Sequence, residues 1–162
     1  MVIVIMGVSG AGKTTIGKML ALRLGWKYFE GDDFHPESNI EKMNSGIPLN
    51  DQDRLPWLYA LSNLIERLEK NDQSAIIACS ALKEGYREIL TEHSKEVRFV
   101  YLKGNYKLLK KRLNQRHGHF MNPSLLKSQI ESLEEPVNTL TIDITLTPEE
   151  IADKILTSFK PV

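Results

Sequence analysis

Gly7-Val8-Ser9-Gly10-Ala11-Gly12-Lys13-Thr14 is the stretch whose reading decides the fold. It meets the pattern G-x-x-x-x-G-K-[ST], a phosphate-binding loop, at every fixed position. Glycines let the backbone curl so that successive N–H groups point inward at phosphate oxygens. A helix that starts where the loop ends adds its positive N-terminal end. At average residue frequencies the four fixed positions arise by chance in roughly 1% or fewer of chains this long. The context fits as well. Val2 to Met6 is a short apolar, β-branched run that reads as a buried strand. Ile16, Met19, Leu20 and Leu24 then share one face of a helix that Gly25 stops. The loop therefore assigns Gly7, Ser9, Gly10, Ala11, Gly12, Lys13, Thr14 and Thr15 to a bound nucleotide. Lys13 reaches the β- and γ-phosphates, and the Thr14 hydroxyl ligates Mg²⁺.

Outward from the loop, strands and helices alternate. Trp26 to Glu30 reads as a second short strand that ends at Gly31-Asp32-Asp33. Pro36 to Met43 predicts a short helix with proline in its first turn. Asn50 is the N-cap of a longer helix, with Asp53 in a capping-box-like position. Its apolar face is Leu55, Leu58, Leu61, Ile65 and Leu68. Ala75 to Ala78 and Val97 to Leu102 read as strands, and Leu82 to Leu90 and Asn105 to Gln115 as helices. Arg116 to Pro123 is a polar loop, after which Leu126, Ile130 and Leu133 mark another helical face. Leu140 to Leu146 is the last strand. Thr147-Pro148-Glu149-Glu150 opens the final helix, with Pro148 at its first position and Glu150 closing a capping box.

This alternation predicts an α/β fold: a parallel sheet of about five strands with helices on both faces. A single domain over residues 1–162 is expected, with a lid segment at about 112–123. In such sheets ligands sit beyond the carboxyl ends of the strands. Three polar clusters fall there: Gly7 to Thr15, Asp32 to His35, and Ser80 to Arg87. They are expected to converge on one cleft.

Composition narrows the partners. Lys plus Arg and Asp plus Glu balance at 21 each in 162 residues, so no global field favours nucleic acid or an anionic membrane. Any anion must be held by a local device. A lone cysteine, Cys79, excludes an internal disulfide and a cysteine-based zinc site. No apolar run approaches the roughly 18 residues of a membrane span. Met1 leads straight into the first strand, and a cytoplasmic enzyme is expected.

A phosphate loop says nucleotide, not reaction. A GTPase-type switch needs an aspartate-x-x-glycine turn and an Asn-Lys-x-Asp, and neither occurs. A motor ATPase shows four apolar residues ending in aspartate. Here the strands end in Cys79-Ser80 and Leu102-Lys103, and Asp143 has Thr141 close before it. Mg²⁺ must then be completed by water, phosphates or another acid, which suits a small-molecule kinase.

The order of motifs resembles the shikimate-kinase and nucleoside-monophosphate-kinase group of P-loop NTPases, and within it the bacterial-type gluconokinase family. The resemblance is carried by Met6 to Thr14, Glu30 to Pro36 (EGDDFHP), Asn39 to Met43, Gly46 to Trp57 (GIPLNDQDRLPW), Cys79 to Lys83 with Tyr86-Arg87, and Gly118 to Met121. It spans most of the chain, and the middle block is not a generic kinase pattern. Two adjacent aspartates, Asp32 and Asp33, stand where many relatives have one followed by an apolar residue.

The resemblance implies phosphorylation of D-gluconate by ATP with Mg²⁺, and commonly a homodimer. Shikimate or a nucleoside monophosphate is the alternative acceptor, and a nucleotide-binding switch the alternative of another class. From the residues alone Asp32 is a turn aspartate, a helix cap or an acid–base group. The resemblance implies that it takes the proton of the attacking hydroxyl, binds the acceptor, or both. His35 orients that loop or touches sugar hydroxyls. Arg54 sits in the first turn of its helix, where the dipole disfavours a cation. Either the nearby Asp51 and Asp53 neutralise it, or, as the better reason, an anionic ligand accounts for it, because guanidinium matches carboxylate in a bidentate fork. Lys83, Tyr86 and Arg87 follow the third strand at helical spacing and are expected to add contacts to an acid. Arg112, Arg116 and His119 flank the polar loop and read as a lid over the nucleotide, with Arg116 meeting the transferred phosphoryl group. Trp57 and Cys79 read as packing.

Overall fold

A computed structural model describes residues 1–115 and 125–159 of the chain. Its strands are β1 (Val2–Met6), β2 (Lys27–Glu30), β3 (Ala75–Ala78), β4 (Val97–Lys103) and β5 (Leu140–Asp143). They form one sheet in the order β2-β3-β1-β4-β5, parallel throughout. β1 is central, with Val4 opposite Ile77 on one side and Phe99 on the other.

The apolar runs explain that placement. Every residue of β1 and β3 is buried, as a strand covered on both faces requires. The cover comes from α1 (Lys13–Leu24), α2 (Glu37–Asn44), α3 (Asp51–Lys70), α4 (Glu84–Thr91), α5 (Tyr106–Asn114), α6 (Leu125–Ser132) and α7 (Pro148–Ser158). Leu20 of α1, Leu58, Leu61 and Ile65 of α3, Leu90 of α4, Leu109 of α5, Leu126 of α6 and Ile151 of α7 join one core with Ile3, Ile5 and Ile76. Each such fully buried side chain contributes roughly 1.5–3 kcal/mol of transfer free energy. Among the described residues no helix is long and apolar enough to cross a membrane.

Local signals hold at most boundaries. Asn50 accepts the N–H of Asp53 at 2.7 Å, and Asp53 accepts that of Asn50 at 3.0 Å, a complete capping box for α3. Gly25 ends α1 at φ 68. Four expectations shift. Pro36 is the N-cap of α2, not part of its first turn. α4 starts at Glu84 rather than Leu82, because Ala81 turns at φ 44 and Lys83 stays extended as the N-cap. The last strand stops at Asp143 rather than Leu146: the Asp143 carboxylate accepts the Thr145 N–H at 2.9 Å, and its carbonyl accepts that of Leu146 at 3.3 Å. These bonds close a turn. At α7 the Thr147 hydroxyl accepts the Glu150 N–H at 3.2 Å, but it is this hydroxyl, not the Thr147 amide, that donates to the Glu150 carboxylate, at 3.1 Å.

All five strands point the same way, so their carboxyl ends share one edge of the sheet. There the glycine loop follows β1, a 3₁₀ turn (Gly31–Phe34) follows β2, and a turn over Cys79–Leu82 follows β3. Of the expected lid, Arg112 to Asn114 complete α5 and Gln115 caps it. The remainder, with Arg116 and His119, lies outside the described residues.

Candidate active site

The glycine loop is built for an anion. Gly7 holds φ 149, and a Cβ there would lie 2.9 Å from the Leu102 carbonyl oxygen. Gly12 is the N-cap of α1 at φ 98, with no side chain capping the helix and no acid in its first turn. The first amides of α1 thus keep both their direction and their positive end for a ligand. Lys13 folds back across the loop, its Nζ donating to the Val8 carbonyl at 2.9 Å.

Thr14 shows a partner that sequence reading missed. Its hydroxyl donates to Glu30 Oε2 at 2.7 Å, and the Tyr28 hydroxyl donates to the same oxygen at 2.5 Å. Burial, and then the bond to Glu30, push the Tyr28 phenol well above its ordinary range, so it stays a donor. Glu30 closes β2 beside the loop, where water, phosphates or an acid were the expected completions of a cation shell. Among the described residues no group of three or more His, Cys, Asp or Glu is poised to cage a metal. One hydroxyl and one carboxylate fit a hard cation that takes its other ligands from phosphates and water.

Beyond Lys13 the loop opens on a cavity lined by Asp32, His35, Arg54, Trp57 and Ser80. Trp57 organises its floor. The indole N–H donates to the Gly31 carbonyl at 2.8 Å, and its ring stacks on His35 at 4.2 Å and 14°. The His35 side chain is 4% exposed, and burial, with Arg54 adding to it, lowers its pKa to about 4. It is therefore a neutral imidazole at neutral pH. Asn39 Nδ2 lies 3.1 Å from His35 Nδ1. An amide nitrogen only donates, so Nδ1 accepts and the proton sits on Nε2, 4.0 Å from Asp32 Oδ1. Asp32 still meets the cleft, its side chain 31% exposed. Burial pushes its pKa up to about 6; Lys13 opposes the rise, while Glu30 and Asp33 add to it.

Arg54 is buried, with the Asp51 and Asp53 carboxylates close enough to feel its charge. Its Nη1 donates to the Tyr86 hydroxyl at 3.0 Å, and its guanidinium lies 5.4 Å from the centre of the Tyr86 ring. The Tyr86 hydroxyl in turn donates to Asp51, which also takes Lys83 Nζ at 3.1 Å. On the other side of the loop, Gly10, Gly12, Thr15, Arg112 and Pro148 line a second cavity. Arg112 is held there by donating from Nη2 to the Ile144 carbonyl at 2.8 Å.

Comparison with known proteins bears on this geometry. The family profile described as shikimate kinase matches residues 9–160. The thermosensitive gluconokinase of Escherichia coli is 50% identical over 133 residues, 82% of this chain and 71% of that one. The crystal structure of a gluconokinase from Sinorhizobium meliloti superposes with a TM-score of 0.85 at 42% identity, covering 96% of this chain and 89% of the other. The chain belongs to the gluconokinase family. An unliganded sugar kinase from Janibacter superposes with a TM-score of 0.91 at 43% identity, over 96% and 92% of the two chains.

In this gluconokinase-family chain, Lys13, Asp32, His35 and Arg54 line one cavity. Thr15 and Arg112 share the other. Lys83 and Tyr86 stand behind Arg54 and outside the acceptor lining. Arg87 departs furthest from expectation. Its guanidinium donates to the carbonyls of Ala81 at 2.7 Å, Leu82 at 3.2 Å and Glu134 at 2.9 Å, and it is not among the residues that line the cavity. The turn at Ala81 supplies the first two carbonyls and the segment after α6 the third, and the buried cation satisfies them. Glu30 and Gln129 were not anticipated. Cys79 is buried, and burial pushes its thiol up to about 12, which makes it inert packing.

Proposed function

We propose that this chain transfers the γ-phosphoryl group of ATP to the 6-hydroxyl of D-gluconate. The observation that carries the reading is the grouping of Lys13, Asp32 and Arg54 around one cavity at the mouth of the phosphate loop. A buried guanidinium backed by a phenol and aimed into a polar cavity calls for an anionic acceptor, and a carboxylate matches its fork. Asp32, with a pKa of about 6, accepts the proton of the attacking hydroxyl. The hydroxyl oxygen bonds to the γ-phosphorus as the bond to the β–γ bridging oxygen breaks, and ADP leaves. Lys13 turns from the Val8 carbonyl to the β- and γ-phosphates, where negative charge rearranges.

Thr14 would hold Mg²⁺, with Glu30 fixing the direction of its hydroxyl. The ion would supply charge neutralisation on the phosphates. Neutral His35, carrying its proton on Nε2, donates to acceptor hydroxyls beside Asp32. Arg112 lies against the nucleoside, and Arg116 and His119 belong to a lid that closes over it. We further assign one kinase domain to residues 1–162, working as a cytoplasmic homodimer. An ADP-release assay over D-gluconate, glucose, shikimate and nucleoside monophosphates tests the reading. Release with gluconate above all others is expected, and release with shikimate or a nucleotide instead refutes it.

A further inference from the structure

Gln129 lies on α6, far along the chain from the loop it touches. Its Oε1 accepts the N–H of Ser9 at 2.7 Å, and both residues are buried. Position makes this more than a packing contact. Ser9 and Gln129 line the same cavity as Lys13, Asp32 and Arg54. The bond therefore marks the border between the phosphate loop and the acceptor space.

The end of α6 is anchored independently. Glu134 donates its N–H to the Leu82 carbonyl at 2.8 Å and accepts the N–H of Glu84 on its carboxylate at 2.9 Å. Its carbonyl takes Arg87. Gln129 sits about one and a half helical turns before that knot. Its side chain can change partner while the helix stays in place.

A backbone N–H offers one proton, and amides of such a loop are those a triphosphate engages. A phosphate oxygen is charged and is a stronger acceptor than an amide carbonyl. We propose that Gln129 is a positioning residue that couples the two substrates. When ATP fills the loop, its γ-phosphate takes the Ser9 N–H. Gln129 Oε1 then turns to accept a hydroxyl of the polyol acid in the cavity. The inference rests on the gluconate-kinase reading above and adds to it a residue through which nucleotide and acceptor strengthen each other's binding. Such coupling is reciprocal.

Calorimetric titration of the full chain with D-gluconate, with and without β,γ-imido-ATP and Mg²⁺, tests it. In the wild type the analogue should tighten gluconate binding by about fivefold or more, the range of ordinary coupling between sites. In Gln129→Leu the ratio should fall to near one. Gln129→Glu keeps an acceptor on Ser9 and strengthens it by its charge. The analogue should therefore bind Gln129→Glu more weakly than Gln129→Leu, while the gluconate coupling ratio in Gln129→Leu distinguishes coupling from a merely structural role. A wild type without coupling, a Gln129→Leu variant with the wild-type ratio, or the opposite order in the analogue series overturns the inference. If the wild type neither binds nor phosphorylates gluconate, the proposed function falls, and this inference with it.

Discussion

Arg54 Nη1 and the Tyr86 hydroxyl, two groups brought together by α3 and α4, are joined by a hydrogen bond of 3.0 Å. The phenol in turn donates a hydrogen bond to Asp51, so its oxygen is free to accept and Nη1 of the guanidinium is committed to the protein. What remains of the fork is held in a fixed direction. Preorganisation of this kind spares a ligand the cost of ordering a long side chain.

Tyr86→Phe tests the arrangement with a change that keeps the ring under the guanidinium. A lost hydrogen bond of ordinary worth, about 1 kcal/mol, predicts a rise of roughly fivefold in KM for gluconate. The value of kcat should hardly move, because the role proposed for Arg54 is to bind the acceptor and not the transferred group. Steady-state kinetics decide the matter: a fall in kcat at unchanged KM would show that Tyr86 serves the chemical step.

Asp32→Asn removes the proton acceptor while keeping its shape. The expected loss in kcat is on the order of 10²–10⁴, with ATP binding retained. In the wild type kcat should fall as pH drops below about 6, since Asp32 becomes protonated there and no longer accepts a proton. If the variant loses only gluconate affinity, or if the wild-type profile is flat down to pH 5, Asp32 is a binding residue.

His35 gives the fold a pH dependence of known sign. The unfolded chain protonates this residue near 6.5, while the folded protein resists until about 4. Acidification from 6.5 to 4 therefore favours unfolding, by up to about 3 kcal/mol from this group. Asp32 acts in the opposite sense, because its raised pKa lets the folded state take up a proton first between about 6 and 3.8. His35→Gln removes only the histidine contribution. Urea unfolding at pH 7 and pH 5 should show a smaller acid loss in the variant than in the wild type. Equal losses would mean that His35 is as accessible to protons folded as unfolded.

What was legible in the sequence follows from how local its causes are. The phosphate loop, the Asn50–Asp53 capping box and the buried runs Val2–Met6 and Ala75–Ala78 are written in consecutive residues. Asp32 and His35 could be named from their place just past β2 together with the family resemblance, and Arg54 from a cation standing in the first turn of its helix together with the same resemblance. Glu30 was not legible as a site residue, since an acid ending a short strand looks like an exposed strand position. Only the fold sets it against Thr14. Arg87 misled for the converse reason. Its spacing after β3 suits a ligand contact, but the left-handed turn at Ala81 supplies it with carbonyls. Gln129 meets Ser9 through tertiary packing alone, and no periodicity carries that information.

Recognition of an acidic polyol by Arg54 is the centre of the account, and one measurement addresses it directly. It is the ratio of kcat/KM for D-gluconate to that for glucose, in the wild type and in Arg54→Leu. Glucose lacks the carboxylate and leaves a buried guanidinium unpaired, a cost of several kcal/mol. The wild type should therefore prefer gluconate by about 10³-fold or more, and Arg54→Leu should lose most of that preference through a higher KM for gluconate. Equal use of both sugars by the wild type, or an unchanged preference in Arg54→Leu, would contradict the account.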